Sequence, residues 1–152
     1  MQAVLVLSDS HGDINGLSHI LQKHIADVEY VFHLGDGFSD INKLAVGYSA
    51  KSFHAIGGNC DRPGAPKVIS LKIGATKIMG VHGHRHGVKS SYDRLCYAAE
   101  EAGVGLCLFG HTHLQHYFTH NGIGFLNPGA VMDGRYAIIS FLDEGGFSIQ
   151  TY

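Results

Sequence analysis

The sequence has few cysteines and few charged residues, and both shortages limit what the protein can be. Cys60, Cys96 and Cys107 are the three cysteines; they form no C-x-x-C pair and leave an odd count. We therefore expect reduced thiols and a cytoplasmic location rather than a disulfide-bonded scaffold. Charged residues make up only 16% of the 152 residues. A surface so poor in charge favours a homo-oligomer.

An excess of basic residues and a long apolar segment are also missing. Lys and Arg number 11 against 13 Asp and Glu, which gives a formal net charge of −2. This balance excludes a basic field for long duplex nucleic acid. The apolar run 3–7 is too short to cross a bilayer and has no basic segment before it, so we predict neither a membrane partner nor a signal peptide. The G-x-x-x-x-G-K-[ST] and G-x-S-x-G motifs are absent as well, which leaves nucleoside triphosphatase and serine hydrolase functions without support.

Histidine and glycine, in contrast, are abundant. The 12 histidines outnumber Lys and Arg together, and the 21 glycines are about twice the average share. Histidine is the commonest metal ligand in proteins, and glycine permits tight turns and close backbone approach. The positions of the histidines along the chain must decide whether they form a site.

The first 60 residues predict strands that alternate with helices. Apolar runs predict strands over 3–7, 30–34 and 52–56. Apolar residues spaced by three and four predict a helix over 14–28, and Ile41, Leu44 and Ala45 predict a short second helix. This alternation is typical of a parallel sheet with crossover helices.

The rest of the chain predicts hairpins as well. Strand pairs are expected over 68–73 with 76–81, 115–119 with 123–126, and 136–142 with 147–151. The Asn121-Gly122 turn is the strongest of these hairpin signals. A third helix is expected from about Tyr92 to Ala102, followed by an apolar run over 106–109. We therefore expect one domain over residues 1–152, an α/β fold with mixed rather than purely parallel sheets.

Side chains that can bind metal follow five of the predicted strands. They are Asp9 and His11, Asp36, Asn59, His82, and His111 with His113. In open α/β sheets ligands bind beyond the carboxyl ends of the strands. In extended backbone residues i and i+2 project to the same side, so Asp9 and His11 could face one point, and so could His111 and His113. Each motif alone is more typical of a turn, but seven N and O donors together suit two ions with a shared carboxylate, and favour Mn, Fe or Zn.

These motifs together resemble the calcineurin-like metallophosphoesterase superfamily over nearly the whole chain. They are Asp9-x-His11, Gly35-Asp36, Gly58-Asn59-Cys60-Asp61, His82-Gly83-His84 and Gly110-His111-x-His113. The Gly-Asn-Cys-Asp form and the later Asn127-Pro128-Gly129 resemble its small bacterial and archaeal phosphodiesterase branch, which is related to the retromer scaffold subunit. The resemblance implies two mixed β-sheets packed face to face with flanking helices, a four-layer αββα sandwich.

The resemblance also implies a cofactor of two divalent metal ions, with Mn as the first choice and Fe, Zn or Ni as alternatives. One ion would be held by Asp9, His11, Asp36 and His113, and the other by Asp36, Asn59, His82 and His111. Asp36 would bridge the two ions, and a bridging hydroxide would attack phosphorus in line. His84 and Arg62 are candidates for substrate binding, although a solvent-exposed role suits each equally well.

The chain departs from the superfamily pattern at Cys60, where many members carry a histidine that protonates the leaving group. A thiol could donate a proton less effectively, and a small buried side chain fits the position as well. Asp61, which would orient that histidine in relatives, remains. Because a missing acid hurts poor leaving groups most, we expect a phosphodiesterase for a small or short substrate rather than a monoesterase.

Two other functions stay open. One is a protein-interaction scaffold on the same fold, which would be free to lose metal ligands. The other is a nuclease for short oligonucleotides or cyclic nucleotides, since the substrate could be a nucleotide. Six further histidines are expected to pack or to face solvent; they are His19, His24, His33, His54, His116 and His120.

Overall fold

The computed structural model describes residues 1–152 and contains ten strands and three α-helices. The strands are β1 Gln2–Leu7, β2 Tyr30–His33, β3 Ser52–Ala55, β4 Val68–Ile73, β5 Thr76–Val81, β6 Leu106–Leu108, β7 His116–His120, β8 Ile123–Asn127, β9 Ala137–Phe141 and β10 Phe147–Thr151. The helices are α1 Ile14–His24, α2 Phe38–Ala45 and α3 Asp93–Ala102.

The strands form two five-stranded mixed sheets, which confirms the predicted fold class. Sheet one has the order β10-β9-β1-β2-β3, and sheet two has the order β4-β5-β6-β8-β7. The central strands of each sheet are parallel, whereas β9, β10, β4 and β7 run antiparallel to their neighbours. The first three strands therefore pair as expected, and the three predicted hairpins are present.

The register aligns the carboxyl ends of the parallel strands. Leu7 pairs with His33, and His33 pairs with Ala55, so β1, β2 and β3 end level with one another. In sheet two Gly80 pairs with Leu108, and Leu108 pairs with Leu126. Whatever follows these strands is consequently delivered to the same edge of each sheet.

The apolar core forms three layers, one between the two sheets and one between each sheet and the helices that cover it. On β1, Val4 and Val6 pack in the cluster between the two sheets, whereas Leu5 and Leu7 pack against Leu17 of α1. This alternation follows from the two-residue period of a strand, and both faces of β1 are buried. Helix α3 covers the outer face of sheet two through a further apolar cluster. Each fully buried aliphatic side chain contributes about 1.5–3 kcal/mol of burial free energy.

The predicted helix over 14–28 is shorter in the structure. Helix α1 begins after Asp13, whose carboxylate accepts the Gly16 N–H at 2.9 Å, and ends at His24. A 3₁₀ turn, Ile25–Asp27, follows, and Val28 is already extended. The apolar spacing continued beyond the helix because Ile25 and Val28 still pack beneath it, while the chain must turn to enter β2. None of the helices has the length and apolar character that a membrane-spanning segment requires.

Candidate metal centre

Backbone hydrogen bonds tie together the loops that follow the parallel strands. Asp9 N donates to Gly35 O and His11 N donates to Asp36 O, both at 2.9 Å, which links the loops after β1 and β2. Gly110 N donates to His82 O at 2.9 Å, which links the loops after β5 and β6. The edges of the two sheets meet because His82 Nδ1 donates to Leu34 O at 2.7 Å.

The structure brings the seven predicted ligands together around two adjacent points. In each of two groups the potential ligand atoms lie within 4.8 Å of one another; the groups are Asp9, His11 and His113, and Asp36, His82 and His111. Asn59 joins the second group, with Oδ1 3.0 Å from His82 Nε2. Asp36 Oδ2 lies 3.2 Å from His82 Nε2 and 3.6 Å from His11 Nε2, so Asp36 stands between the groups.

The backbone at these residues is not extended, and this corrects the reason given for the i, i+2 pairs. Five of the six non-glycine residues with positive φ are predicted ligands: Asp9, His11, Asp36, His111 and His113, with φ of 45° to 71°. Each left-handed residue of this kind costs on the order of 1 kcal/mol, and such residues persist where the surrounding structure imposes them. Asp9 and His11 lie in the same ligand group, as expected, whereas His111 and His113 lie in different groups, so the prediction that they face one point is wrong.

Two glycines allow the loops to approach this closely. A Cβ on Gly35 would meet both Gly58 N and His82 Nδ1 at 2.7 Å, and one on Gly110 would meet Asp9 Oδ2 at 2.7 Å. Gly35 also has a φ of 102°, which favours glycine. Larger residues at either position would separate the ligand loops.

The unpaired atoms in the first group fit a cation. Asp9 Oδ2 accepts hydrogen bonds from Ser8 Oγ and the His111 N–H, but its buried Oδ1 has no hydrogen-bond partner. His113 Nε2 lies 3.2 Å from that oxygen and also 3.2 Å from His11 Nε2. Atoms that coordinate the same ion at about 2.1 Å lie roughly this far apart. A buried carboxylate oxygen with no donor is costly, and a divalent ion would satisfy it.

The second group is held in place by contacts behind it. The His82 Nδ1–H is directed at Leu34 O, which turns Nε2 towards Asp36. This arrangement of a histidine with its second nitrogen bound to a carbonyl is typical of metal ligands. Asp36 Oδ1 accepts the Cys60 N–H at 2.8 Å and leaves Oδ2 facing His82.

Asp61 organises the two loops around Asp36. Its carboxylate accepts four backbone N–H groups, from Asp36, Gly37, Phe38 and Gly58, at 2.7–3.1 Å. These bonds cap the start of α2 and fix the loop after β2 against the loop after β3. Both oxygens of Asp61 are therefore used by the backbone, and its contacts support a positioning role rather than direct proton transfer.

A buried polar chain, which sequence reasoning missed, links the same loops from below. His33 Nε2 lies 3.0 Å from Ser10 Oγ, and Ser10 Oγ donates to Asp40 Oδ2 at 2.7 Å. Asp40 also accepts the Gly12 N–H at 2.8 Å, and His33 Nδ1 accepts the Gly35 N–H at 3.3 Å. We name His33, Ser10 and Asp40 the buried polar chain. Ser10 is completely buried, so it holds the Asp9–Gly12 loop and is not a nucleophile.

The charges at the site shift several pKa values. Burial lowers the pKa of His82, but the hydrogen bond to Asp36 and the charges of Asp9 and Asp36 outweigh it and raise that pKa overall. Burial raises the pKa of Asp36, yet its bonds to His82 and the Cys60 N–H bring it well below the usual range. Burial and the nearby His82 lower the pKa of His111. Because the pKa of His82 is raised, protons compete with a metal for this side chain, and metal affinity should depend on pH.

The structure corrects one alternative for Cys60 and locates the other predicted site residues. Cys60 is exposed, so it is not a small buried side chain; its sulfur lies within 4.8 Å of ligand atoms of His11 and Asp36. Burial and the charge of Asp36 raise the pKa of this thiol. His84 is half-buried against His82 and His111, with ring centroids 5.3 and 6.0 Å away, rather than fully in solvent. Arg62 is exposed at the rim.

Two clefts adjoin the ligand groups. A cleft of about 750 Å³, here the Cys60 cleft, is lined by Phe38, Ser39, Lys43, Cys60, Asp61, Arg62, Pro63, Gly64 and Ala65. A second of about 230 Å³, here the His84 cleft, is lined by Gly57, Lys67, Val68, Val81, His82, Gly83, His84, Arg85 and His86. The His84 cleft includes the predicted ligand His82, and the Cys60 cleft includes Cys60, which lies near His11 and Asp36.

The other histidines lie where packing or solvent was expected. His24 is buried with Nε2 2.9 Å from Tyr136 Oη, and His54 packs against Phe32 at a ring distance of 5.4 Å. His19 is exposed on α1, and His116 and His120 are exposed on β7. His33 is buried as predicted, but its hydrogen bond to Ser10, 23 residues away, could not be predicted from the sequence.

Known proteins share both the sequence and the fold of this chain. A Bacillus subtilis protein, "Probable metallophosphoesterase YsnB", is 32% identical over 97% of this chain and 94% of its own length. A Streptococcus pneumoniae structure described as a predicted phosphoesterase is 29% identical, with a TM-score of 0.82 over 99% of this chain and 88% of that one.

Two more distant structures share the fold at 18% identity. Vacuolar Protein Sorting 29 from Cryptosporidium parvum has a TM-score of 0.78 over 99% of this chain and 96% of that one. A structure titled as a novel archaeal phosphodiesterase has a TM-score of 0.74 over 99% of this chain and the whole of that one. The model of the calcineurin-like phosphoesterase superfamily domain matches residues 1–142. This chain therefore belongs to the calcineurin-like phosphoesterase superfamily.

Proposed function

We propose that this phosphoesterase is a phosphodiesterase that uses two divalent metal ions, with Mn as the first choice, to hydrolyse a small or short substrate. The observation that carries the proposal is the pair of ligand groups on either side of Asp36, one of which contains a buried carboxylate oxygen without a partner. Asp9, His11, Asp36 and His113 would hold one ion, and Asp36, Asn59, His82 and His111 the other. When bound, two such ions supply Lewis acidity to the phosphoryl oxygens and lower the pKa of water.

The chain itself fixes the ligands before the substrate arrives. Asp61 and the buried polar chain hold the loops that carry the carboxylates, and Leu34 O orients His82. Side chains held in this way need little reorganisation during the reaction, which is a large part of catalytic efficiency. Asn59 is a neutral ligand, so the combined ligand charge stays low and the ions remain strong Lewis acids.

The side chain next to Asn59 favours a diester with an acidic leaving alcohol. Cys60 is exposed beside Asp36, and its raised pKa keeps it protonated and weakly acidic near neutral pH. Monoesters and alkyl diesters with poor leaving groups need a stronger acid to protonate the departing oxygen. The side chains at the site are thus better suited to diesters whose leaving group departs without such help.

Titration with Mn²⁺ and an assay with bis(p-nitrophenyl) phosphate test the proposal. We expect two ions per chain in calorimetry and hydrolysis that saturates with the second ion. A His120→Ala variant, changed at an exposed histidine of β7, should bind and hydrolyse as the wild type does. Failure to bind any divalent ion, or binding without hydrolysis of activated diesters, would overturn the proposal.

Binding without hydrolysis would instead favour a protein-interaction scaffold, the second candidate. The likeness to Vacuolar Protein Sorting 29 shows that the fold is shared with a protein named for sorting. A scaffold has no need to retain metal ligands, yet all seven positions here carry side chains that can coordinate a metal. For this reason the enzyme is our first choice.

The free state of Cys60, Cys96 and Cys107 in the structure supports a cytoplasmic location.

We also retain the proposal of one domain over residues 1–152 and that of a homo-oligomer. Size-exclusion chromatography with light scattering measures the oligomeric state directly. A monomer at all accessible concentrations would rule out the homo-oligomer.

A further inference from the structure

We infer that the Cys60 cleft binds a second phosphate group of the substrate, so that the preferred diester is of nucleotide type and carries another phosphate near the scissile one. This inference rests on the proposed function, because it places the scissile phosphate at the ligand groups. It names the class of substrate, which the ligands alone leave open.

The Cys60 cleft adjoins the candidate metal centre. A smaller cavity beside it, of about 240 Å³, is lined by His11, Gly12, Asp36, Gly37, Ser39, Asp40, Cys60 and Asp61. Ser39, Cys60 and Asp61 line both spaces. A substrate whose phosphorus sits beside Asp36 would therefore reach the larger space on the far side of Cys60.

The charge of the Cys60 cleft is unbalanced in favour of an anion. Lys43 and Arg62 line it, and neither takes part in an ion pair of the structure. The only acid in the lining is Asp61, whose two oxygens each accept two backbone N–H groups. Because that carboxylate is already engaged by the backbone, the two cations are left to a ligand, and phosphate is an anion that Lys and Arg bind well through charge-assisted hydrogen bonds.

The size and the apolar part of the cleft favour a nucleotide over a bare polyphosphate. A volume of about 750 Å³ lies within the usual range for small-molecule sites, about 300–1,000 Å³. The half-buried ring of Phe38 and the ring of Pro63 add apolar surface to the lining. A nucleoside can stack on such surface, whereas inorganic polyphosphate gains nothing from it.

The net charge of −2 is compatible with this inference. Only two cations are engaged, so the site suits one or two extra phosphates rather than a long nucleic acid, in agreement with the missing basic field. The His84 cleft also has two cations, Lys67 and Arg85, but it is only about 230 Å³. We assign the second phosphate to the Cys60 cleft because the smaller space does not accommodate a nucleoside.

Competition between two matched ligands tests the inference. Thymidine 3′,5′-bisphosphate and thymidine 5′-monophosphate differ only in the second phosphate, and both can be measured as inhibitors of bis(p-nitrophenyl) phosphate hydrolysis. Because two exposed cations would pair with the second phosphate, we expect the bisphosphate to bind about tenfold more tightly at low salt. The advantage should shrink as ionic strength rises.

The double variant Lys43→Ala/Arg62→Ala should lose that tenfold advantage while it still hydrolyses bis(p-nitrophenyl) phosphate, which has no second phosphate. Lys72→Ala, which removes an exposed cation of β4 outside both clefts, should retain the advantage. A wild type that binds the two ligands equally would overturn the inference. So would a double variant that keeps the advantage, or a loss seen only with Lys67→Ala/Arg85→Ala.

Calorimetry separates a failure of this inference from a failure of the proposed function. If the chain hydrolyses no diester, the proposed function fails, but the heat of binding still reports whether the bisphosphate is preferred and whether Lys43 and Arg62 are responsible. If hydrolysis is normal and the preference is absent, only the assignment of the Cys60 cleft is wrong.

Discussion

The two sheets contribute different chemistry to one site. Sheet one supplies both carboxylates, and the side chains of Asp9 and Asp36 are 0% and 3% exposed. Sheet two supplies His82, His111 and His113; the side chain of His82 is only 1% exposed, whereas that of His113 is 35% exposed. A buried carboxylate needs donors or a cation, whereas an imidazole can stay neutral without either. The carboxylates are therefore the ligands that depend most on an ion and on the loops behind them, whereas a partly exposed histidine such as His113 tolerates the loss of both.

The largest effect is predicted for a variant in which Asp36 is neutralised. Asp36→Asn keeps the shape but removes the charge shared by the two ligand groups, so we expect a loss of at least one bound ion and a fall in diester hydrolysis on the order of a thousandfold. Metal analysis and steady-state kinetics measure both effects. His113→Gln changes a partly exposed ligand and should reduce metal binding and hydrolysis less. Asp133→Asn, at an exposed turn, should change neither. Equal losses for the Asp36 and His113 variants would show that the two halves are equivalent.

A smaller effect is predicted when the buried polar chain that holds the carboxylate loops is interrupted. His33→Phe and Asp40→Asn each break the buried polar chain, and we expect metal affinity to fall about 10–100-fold, as is usual for contacts behind a ligand. Metal titration by calorimetry gives the affinity. His54→Phe is the matched control, since His54 lies on the neighbouring strand β3 and packs against Phe32.

A purely structural role would give a different result. The free energy of unfolding would then fall in His33→Phe while the metal affinity of the folded protein stayed at the wild-type value. Asp40→Asn keeps the size of the side chain, so it remains informative if the phenylalanine variant does not fold.

The third prediction uses pH to test the same histidine. Burial lowers the pKa of His33 to about 4 from 6.5. Below pH 6.5 His33 is therefore protonated in the unfolded chain, whereas in the folded chain it stays neutral until about pH 4. Stability is lost as the pH falls through this window. Between pH 7 and pH 5 the loss from His33 amounts to about 2 kcal/mol.

Urea unfolding of the chelator-treated protein at the two pH values measures this loss. The wild type should lose about 2 kcal/mol more than His33→Phe on going from pH 7 to pH 5. His19→Gln, changed at an exposed position of α1, should follow the wild type. If the wild type and His33→Phe lose the same free energy of unfolding between pH 7 and pH 5, His33 is not kept neutral by the fold.

Sequence periodicity was sufficient for the fold because each element buries a regular pattern. The apolar run of β1 and the Asn121-Gly122 turn each specify their element locally, and the alternation of strand and helix specifies the parallel pairing. The end of α1 could not be read in this way. Ile25 and Val28 continue the apolar spacing, and only the position of β2 decides that the helix stops at His24.

The candidate ligands were predictable because their motifs follow strands, but their support was not. Ser10 lies between two predicted ligands, yet its partners His33 and Asp40 are 23 and 30 residues away. The four N–H groups on Asp61 likewise depend on two loops that meet only in the folded chain. Left-handed backbone at Asp9 and His11 is imposed by these contacts, which is why extended geometry was the wrong premise for their pairing.

The smallest predicted effect follows when an imidazole is placed beside the carboxylate of Asp36. In Cys60→His a stronger acid replaces the thiol beside Asp36, so diesters with alkyl leaving groups should react about tenfold faster, while p-nitrophenyl esters should change little. We expect no more than this because Asp61 is committed to four backbone N–H groups and is not free to orient the new ring. Rates across a series of leaving-group pKa values measure the effect. Cys60→Ser is the control, and a uniform gain across the series would show that the imidazole acts on the ions or the fold rather than on the leaving group.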